Sequence, residues 1–306
     1  MYLRSKNQNM RNKLSKIISG ICVLIGAVLY ALFGYRPTAV EPVPNINEPV
    51  QTEISIPVEQ QTITAEASDA FYAQQGLEIP ARIQQRSERI MQRTNYTVSF
   101  NTKWNIPNWV AWDITKEEVN NDRYQRNDFF VSDPDIAVTK AVAYEDYSGS
   151  GYDRGHMCPA GDNHFDATAM DECFYMTNIC PQNHELNKES WNDLEMACRR
   201  WARHYGKVYV VCGPIVQNPD RPKTIGKWHK VAVPDAFFKV IMVVNNDTPQ
   251  AIGYIFQNNA SRKPWKAYSI DEVEEHTGID FFPSLPDEIE NMVEANYNQN
   301  LWNWGN

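Results

Sequence analysis

The feature that most limits what this chain can fold into is one helical stripe set among strands. Trp191, Leu194, Cys198 and Trp201 recur at intervals of three and four residues, so four large side chains share one face of a helix that starts near Asn187. Around it the chain reads as β-structure. Residues 96–100 and 109–114 precede it, and residues 207–212, 237–244 and 251–256 follow it, rich in Val, Ile, Tyr and Phe. An apolar helix face among apolar strands finds its partner in a sheet. The expected class is α+β. Residues 80–93 are expected to add a short helix through Ile83, Ile90 and Met91. Residues 271–275 add a short acidic helix, and residues 277–283 close the core.

The N-terminal quarter is different. Residues 1–16 contain Arg4, Lys6, Arg11, Lys13 and Lys16 and no acid. Residues 17–35 are uncharged and mostly apolar, and as a helix they would span about 28 Å, close to the hydrocarbon thickness of a bilayer. The basic flank orients such a helix with its N-terminus in the cytoplasm. A cleaved signal peptide is the competing reading, although its apolar region is usually shorter. Either reading exports the rest of the chain. Residues 36–75, with Pro37, Pro42, Pro44, Pro49 and Pro57 among polar residues, read as an extended tether, which leaves residues 76–306 as the folded domain. The expected place is a bacterial inner membrane with the domain in the periplasm. A secreted form follows if the apolar run is cleaved, and the mitochondrial intermembrane space is the alternative.

Chemistry concentrates at residues 152–163, which read Tyr-Asp-Arg-Gly-His-Met-Cys-Pro-Ala-Gly-Asp-Asn. Asp153, Arg154 and His156 combine an acid, a permanent cation and a group that exchanges protons near neutral pH. Pro159 and Gly161 mark the segment as a strand end or loop. On their own, such clusters are more often structural ion pairs than catalysts. A second stretch, Asn178-Ile179-Cys180-Pro181-Gln182 followed by Leu186-Asn187 and Trp191, leads to Glu195. On a regular helix Asn187 and Glu195 lie about 80° apart, so both can approach one site.

Together the two stretches resemble the DNA/RNA non-specific endonucleases, whose active site is a ββα-metal motif. The resemblance implies a mixed αβα-type sandwich, with a central, largely antiparallel sheet and flanking helices. The resemblance implies His156 as general base and Asn187 as the protein ligand of Mg²⁺, with Mn²⁺ as a substitute and Glu195 acting through metal-bound water. It also implies Arg154 and Arg126 at the phosphate, Asp153 orienting its neighbours, and Asn178 and Gln182 tying the loop to the helix. The implied partners are DNA and RNA, contacted at the backbone without sequence preference, and a homodimer. Products would carry 5′ phosphates. The formal net charge of −9 argues against tight, purely electrostatic binding of nucleic acid but leaves catalysis open. Rival readings are a metal-dependent phosphodiesterase for another substrate, an inactive membrane-tethered nucleic-acid-binding module, and a metallohydrolase using His156, His164 and His184. The spacing of those three histidines fits no usual zinc pattern. Six cysteines without a C-x-x-C pair leave the disulfide state open.

Overall fold

The computed structural model describes residues 76–245, 248–260 and 265–303. The basic segment, the apolar run and the tether expected over residues 1–75 lie outside the described residues. Among the described residues no helix is long and apolar enough to cross a membrane.

The sheet has seven strands in the order β1-β2-β3-β6-β9-β10-β11, and every neighbouring pair is antiparallel. β1 is Arg89–Gln92, β2 Thr97–Asn101 and β3 Ile106–Thr115. β6 is Lys207–Ile215, β9 Ala236–Asn245, β10 Thr248–Gln257 and β11 Ala267–Tyr268. The sheet is buried on both faces, and alternate residues serve opposite cores. Val110, Trp112 and Ile114 of β3 face one core, whereas Trp109 and Ala111 face the other. This two-fold period is the strand geometry itself.

Helix α4, Asn192–Tyr205, covers the first face. Trp191, Leu194, Cys198 and Trp201 all enter that core, as their spacing requires. Trp191 is 1 % exposed, and removing a buried indole of this kind costs about 3–5 kcal/mol. Helices α5, Ile270–Thr277, and α6, Asp287–Ala295, cover the other face through Ile270, Val273 and Val293. Ser269 and Glu272 form a reciprocal cap at the start of α5, the sequence signature Ser-x-x-Glu realised in space. The result is the αβα sandwich expected from the sequence.

Two expectations fail. Residues 80–93 form no helix: after an irregular stretch the chain enters β1, which pairs with β2. Pro80 and the loose spacing of Ile83, Ile90 and Met91 supply no helical face, and pairing across the 93–96 turn uses Met91 and Ile90 instead. The core also does not end at residue 283. Leu285, Val293 and Trp302 are all buried beyond it.

Candidate active site

A small hairpin stands beside the main sheet. β4, Asp153–His156, pairs antiparallel with β5, Ile179–Gln182, with Gly155 opposite Cys180 and His156 opposite Ile179. The chain then turns through α3, His184–Leu186, and a π-helical turn at Asn187–Trp191, and runs directly into α4. Two strands and a helix thus bring the Asp-Arg-Gly-His segment and the Asn187–Glu195 segment together. Asn183 opens α3 by accepting the Glu185 amide at 3.0 Å. π turns recur at functional positions because the extra residue re-aims the side chains around it. Here the turn begins at Asn187.

Each glycine of the first motif has a steric reason. A Cβ on Gly155 would lie 2.6 Å from Gln182 Cβ. A Cβ on Gly161 would lie 2.7 Å from an Arg199 guanidinium nitrogen. Both positions admit a neighbouring side chain where a methyl group belongs.

His156 is 8 % exposed and gripped by rings. Its imidazole lies edge-to-face with Phe174 at 4.9 Å and tilted against Phe130 at 5.2 Å. Nε2 is buried without a hydrogen-bond partner. Burial, reinforced by the Arg126 charge, lowers the imidazole from its ordinary value to about 3, so the ring is neutral at physiological pH. The backbone is fixed from the helix side, where Trp191 Nε1 donates to the His156 carbonyl at 3.2 Å.

Asp153 organises the residues opposite. Its Oδ2 accepts from Asn187 Nδ2 at 3.0 Å and from His184 Nδ1 at 2.9 Å. A carboxylate only accepts, so Asn187 must present its amide nitrogen to Asp153, and its Oδ1 is the oxygen left for another partner. A neutral, hard oxygen held in this way suits Mg²⁺ or Mn²⁺, ions that take few protein ligands and keep several waters. Asn187 therefore fits the role of a divalent-metal ligand.

Behind this pair lies a buried charge network. Glu195 is partly buried, and burial pushes its carboxyl up to about 7 against the opposing pull of Lys239 and Arg199. Arg199 Nη1 donates to Asp162 Oδ1 at 2.7 Å, and Trp112 Nε1 donates to Asp162 Oδ2 at 3.1 Å. Lys239, in the middle of β9, is fully buried, and its Nζ has no hydrogen-bond partner. That ammonium sits 4.2 Å from the centre of the Trp191 ring and 5.5 Å from that of Trp112. The aromatic faces stabilise the charge in place of hydrogen bonds.

The sequence matches the DNA/RNA non-specific endonuclease family over residues 74–288. The chain belongs to this family. The mitochondrial nuclease EXOG of Mus musculus is 34 % identical over 207 residues, 63 % of this chain and 56 % of that protein. Nuclease C1 of Cunninghamella echinulata var. echinulata is 34 % identical over 209 residues, 64 % of this chain and 83 % of that protein. The chain thus spans a little over half the length of the mouse relative. In the crystal structure of the EndoG/EndoGI complex, which concerns the mechanism of EndoG inhibition, one chain superposes with a TM-score of 0.60 at 30 % identity. The match covers 65 % of this chain and 87 % of that one.

The remaining family positions are placed as follows. Arg154 shares the His156 face of β4, two residues away. Its guanidinium lies 3.5 Å from the centre of the Tyr144 ring and donates to the Tyr144 carbonyl at 2.9 Å. Arg126 is half-exposed, bonded to Asp128, and 5.5 Å from the Phe174 ring that also packs on His156. Asn178 is fully buried and ties the loop after β4: its Oδ1 accepts the Cys158 amide at 2.9 Å, and its Nδ2 donates to the Cys158 and Cys173 carbonyls, each at 2.8 Å. Gln182 is buried against Gly155, and neither of its amide atoms has a hydrogen-bond partner.

The three histidines of the zinc reading do not gather. His164 bonds to the Tyr124 carbonyl and His184 to Asp153. Among the described residues, no trio of His, Cys, Asp or Glu with metal-like spacing contains a histidine. Cys158, Cys173, Cys180, Cys198 and Cys212 are all buried and free. Sequence reading did not find Lys239, Arg199, Asp162, Phe130 or Phe174. Only Asp162, inside the first motif, carried a signal.

Proposed function

We propose that this chain is a metal-dependent, sequence-non-specific endonuclease that hydrolyses phosphodiester bonds in DNA and RNA and leaves 5′-phosphate ends. The observation that carries the reading is a neutral, ring-packed His156 on the same ββα element as an Asn187 whose amide oxygen is turned free by Asp153. Family membership supports it independently.

His156 accepts a proton from the attacking water. Nε2 is buried, so Nδ1 is the nitrogen that meets the water. A neutral imidazole is the form a base needs, and here it is the form present across the physiological range. Arg154 and Arg126 flank the phosphate and offset its growing charge, with their guanidinium planes braced on Tyr144 and Phe174. Asn187 Oδ1 would hold a divalent cation, with Glu195 supporting it through water, and the ion would supply charge neutralisation at the phosphate and the leaving oxygen. None of these groups reads a base edge, which accounts for weak sequence preference and for activity on both nucleic acids.

The domain of residues 76–306 carries this activity away from the cytosol, behind the apolar run of residues 17–35. The mitochondrial name of the mouse relative favours the organelle option over the bacterial envelope. The chemistry is tested by the ends produced. Nicked plasmid from the wild-type chain is expected to be resealed by DNA ligase without prior kinase treatment. Ends that require a kinase, or nicking confined to one sequence, would refute the proposal.

A further inference from the structure

The opposite face of the sheet from the ββα element carries a second concentration of oxygen ligands. α5 and α6 meet there, joined by the segment that contains Asp280. One oxygen each from Asp271, Glu274 and Glu294 lie within 4.8 Å of one another, and so do oxygens of Asp280, Glu290 and Glu294. Glu294 belongs to both groups. It is 7 % exposed, and its Oε1 has no hydrogen-bond partner. A buried carboxylate oxygen without a partner is costly, more so when charged. Its carboxylate supplies an oxygen to both of the trios present among the described residues.

The surroundings make the lack of a partner worse. Burial raises the Glu294 carboxyl to about 9, and the charged groups that push it further are Glu274, Glu290, Asp280 and Asp271, all acids. Burial, and then neighbouring acids, also raise Glu274 and Glu290. Glu274 is meanwhile pinned, its Oε1 accepting the Phe281 amide at 2.7 Å. Asp271 and Asp280 are exposed, which leaves a route for an ion and its waters.

The donor set selects the ion. Five carboxylates offer hard oxygens alone, whereas Mg²⁺ usually takes one or two carboxylates from a protein and Ca²⁺ takes roughly six to eight oxygens in a flexible shell. Carboxylates with room for waters also match the variable coordination of calcium.

We propose that Asp271, Glu274, Asp280, Glu290 and Glu294 form a structural divalent-cation site of the calcium class, separate from the nuclease centre, that fastens α6 to α5. The site closes the C-terminal part of the second core, where Val293 packs beside Val273. It does not depend on the nuclease reading.

The test is thermal melting of the full chain with Ca²⁺ or with a calcium chelator, using wild type, N187A, E294Q and D271N/D280N. Saturating Ca²⁺ is expected to raise the melting temperature by about 5 °C or more in wild type and in N187A. The rise disappears in E294Q and in D271N/D280N, the second variant changing only exposed side chains. Mg²⁺-dependent nicking by D271N/D280N stays at the wild-type level. Absence of a calcium response in wild type overturns the proposal, as does an undiminished response in both variants. A chain whose E294Q form melts higher and whose wild type ignores calcium holds this cluster together with a proton, and that also overturns it.

Discussion

Replacing Asp153 by Ala removes the acceptor that orients Asn187. The bond concerned is Asn187 Nδ2 to Asp153 Oδ2 at 3.0 Å, and a hydrogen bond to a charged group contributes about 1.5–3 kcal/mol. The Asp153 side chain is 33 % exposed, so water replaces part of the loss and the lower end applies. About 1.5 kcal/mol is roughly a tenfold change in an equilibrium constant, within the range seen when the support of a metal ligand is removed. The Mg²⁺ concentration that gives half-maximal plasmid nicking is therefore expected to rise about tenfold in D153A. The rate at saturating Mg²⁺ falls much less. D153N retains an amide oxygen that can accept from Asn187, so its shift is about threefold or less. H184A removes the other donor on the same oxygen, but that imidazole is 63 % exposed, and the variant should behave like wild type. An unchanged Mg²⁺ requirement in D153A, or an equal shift in H184A, would refute the claim that Asp153 acts by aiming Asn187.

Three further outcomes follow from the same geometry. His156 is held at about 3, so the pH profile of kcat/KM should show no step at the ordinary histidine value of 6.5; the folded chain takes up this proton only far below the unfolded one, so the contribution to stability is full above pH 6.5 and declines by up to about 1.4 kcal/mol per unit as pH falls toward 3, a slope that H156L should lack in urea titrations. G155A forces a methyl group onto Gln182, and the resulting shift of β4 should cost about 1–3 kcal/mol in denaturant unfolding and displace His156, with activity lost in the same variant. K239M replaces a buried, unbonded ammonium with an apolar chain of similar volume, so thermal stability should hold or rise while nicking falls about tenfold as Glu195 loses its neighbouring cation.

Much of this architecture can be read from residue spacing, because the relevant physics is local. The Trp191–Trp201 stripe specifies the helix and the face it buries. The strands at 97–101, 106–115, 207–215, 236–245 and 248–257 appear wherever β-branched and aromatic residues run between turn formers. The order of the motifs already implied a hairpin feeding a helix. What escaped depends on contacts distant in sequence. Lys239 looks like an ordinary strand residue, and only the sheet's coverage on both faces makes it a buried cation. Phe130 and Phe174 are unremarkable until the fold packs them against each other and against His156. The π turn at Asn187–Trp191 has no spacing signature, and it changes the angle between Asn187 and Glu195 that a regular helix predicts. Helix α2, Ala167–Glu172, did leave a trace in its Asp166 cap, which accepts the Thr168 amide at 2.8 Å. In residues 80–93 a few apolar residues near one side suggest a helical face, but pairing of residues 89–92 with β2 decides their conformation.

Hydrolysis as proposed needs His156 and a divalent metal together. The most direct test is plasmid nicking by the full chain with Mg²⁺ or with a chelator, beside H156A shown to be folded by its melting curve. Nicking of DNA and cutting of RNA are expected to require Mg²⁺ and to fall by at least a hundredfold in H156A. Undiminished nicking in the folded variant, or in the chelator, would contradict joint action of His156 and the metal.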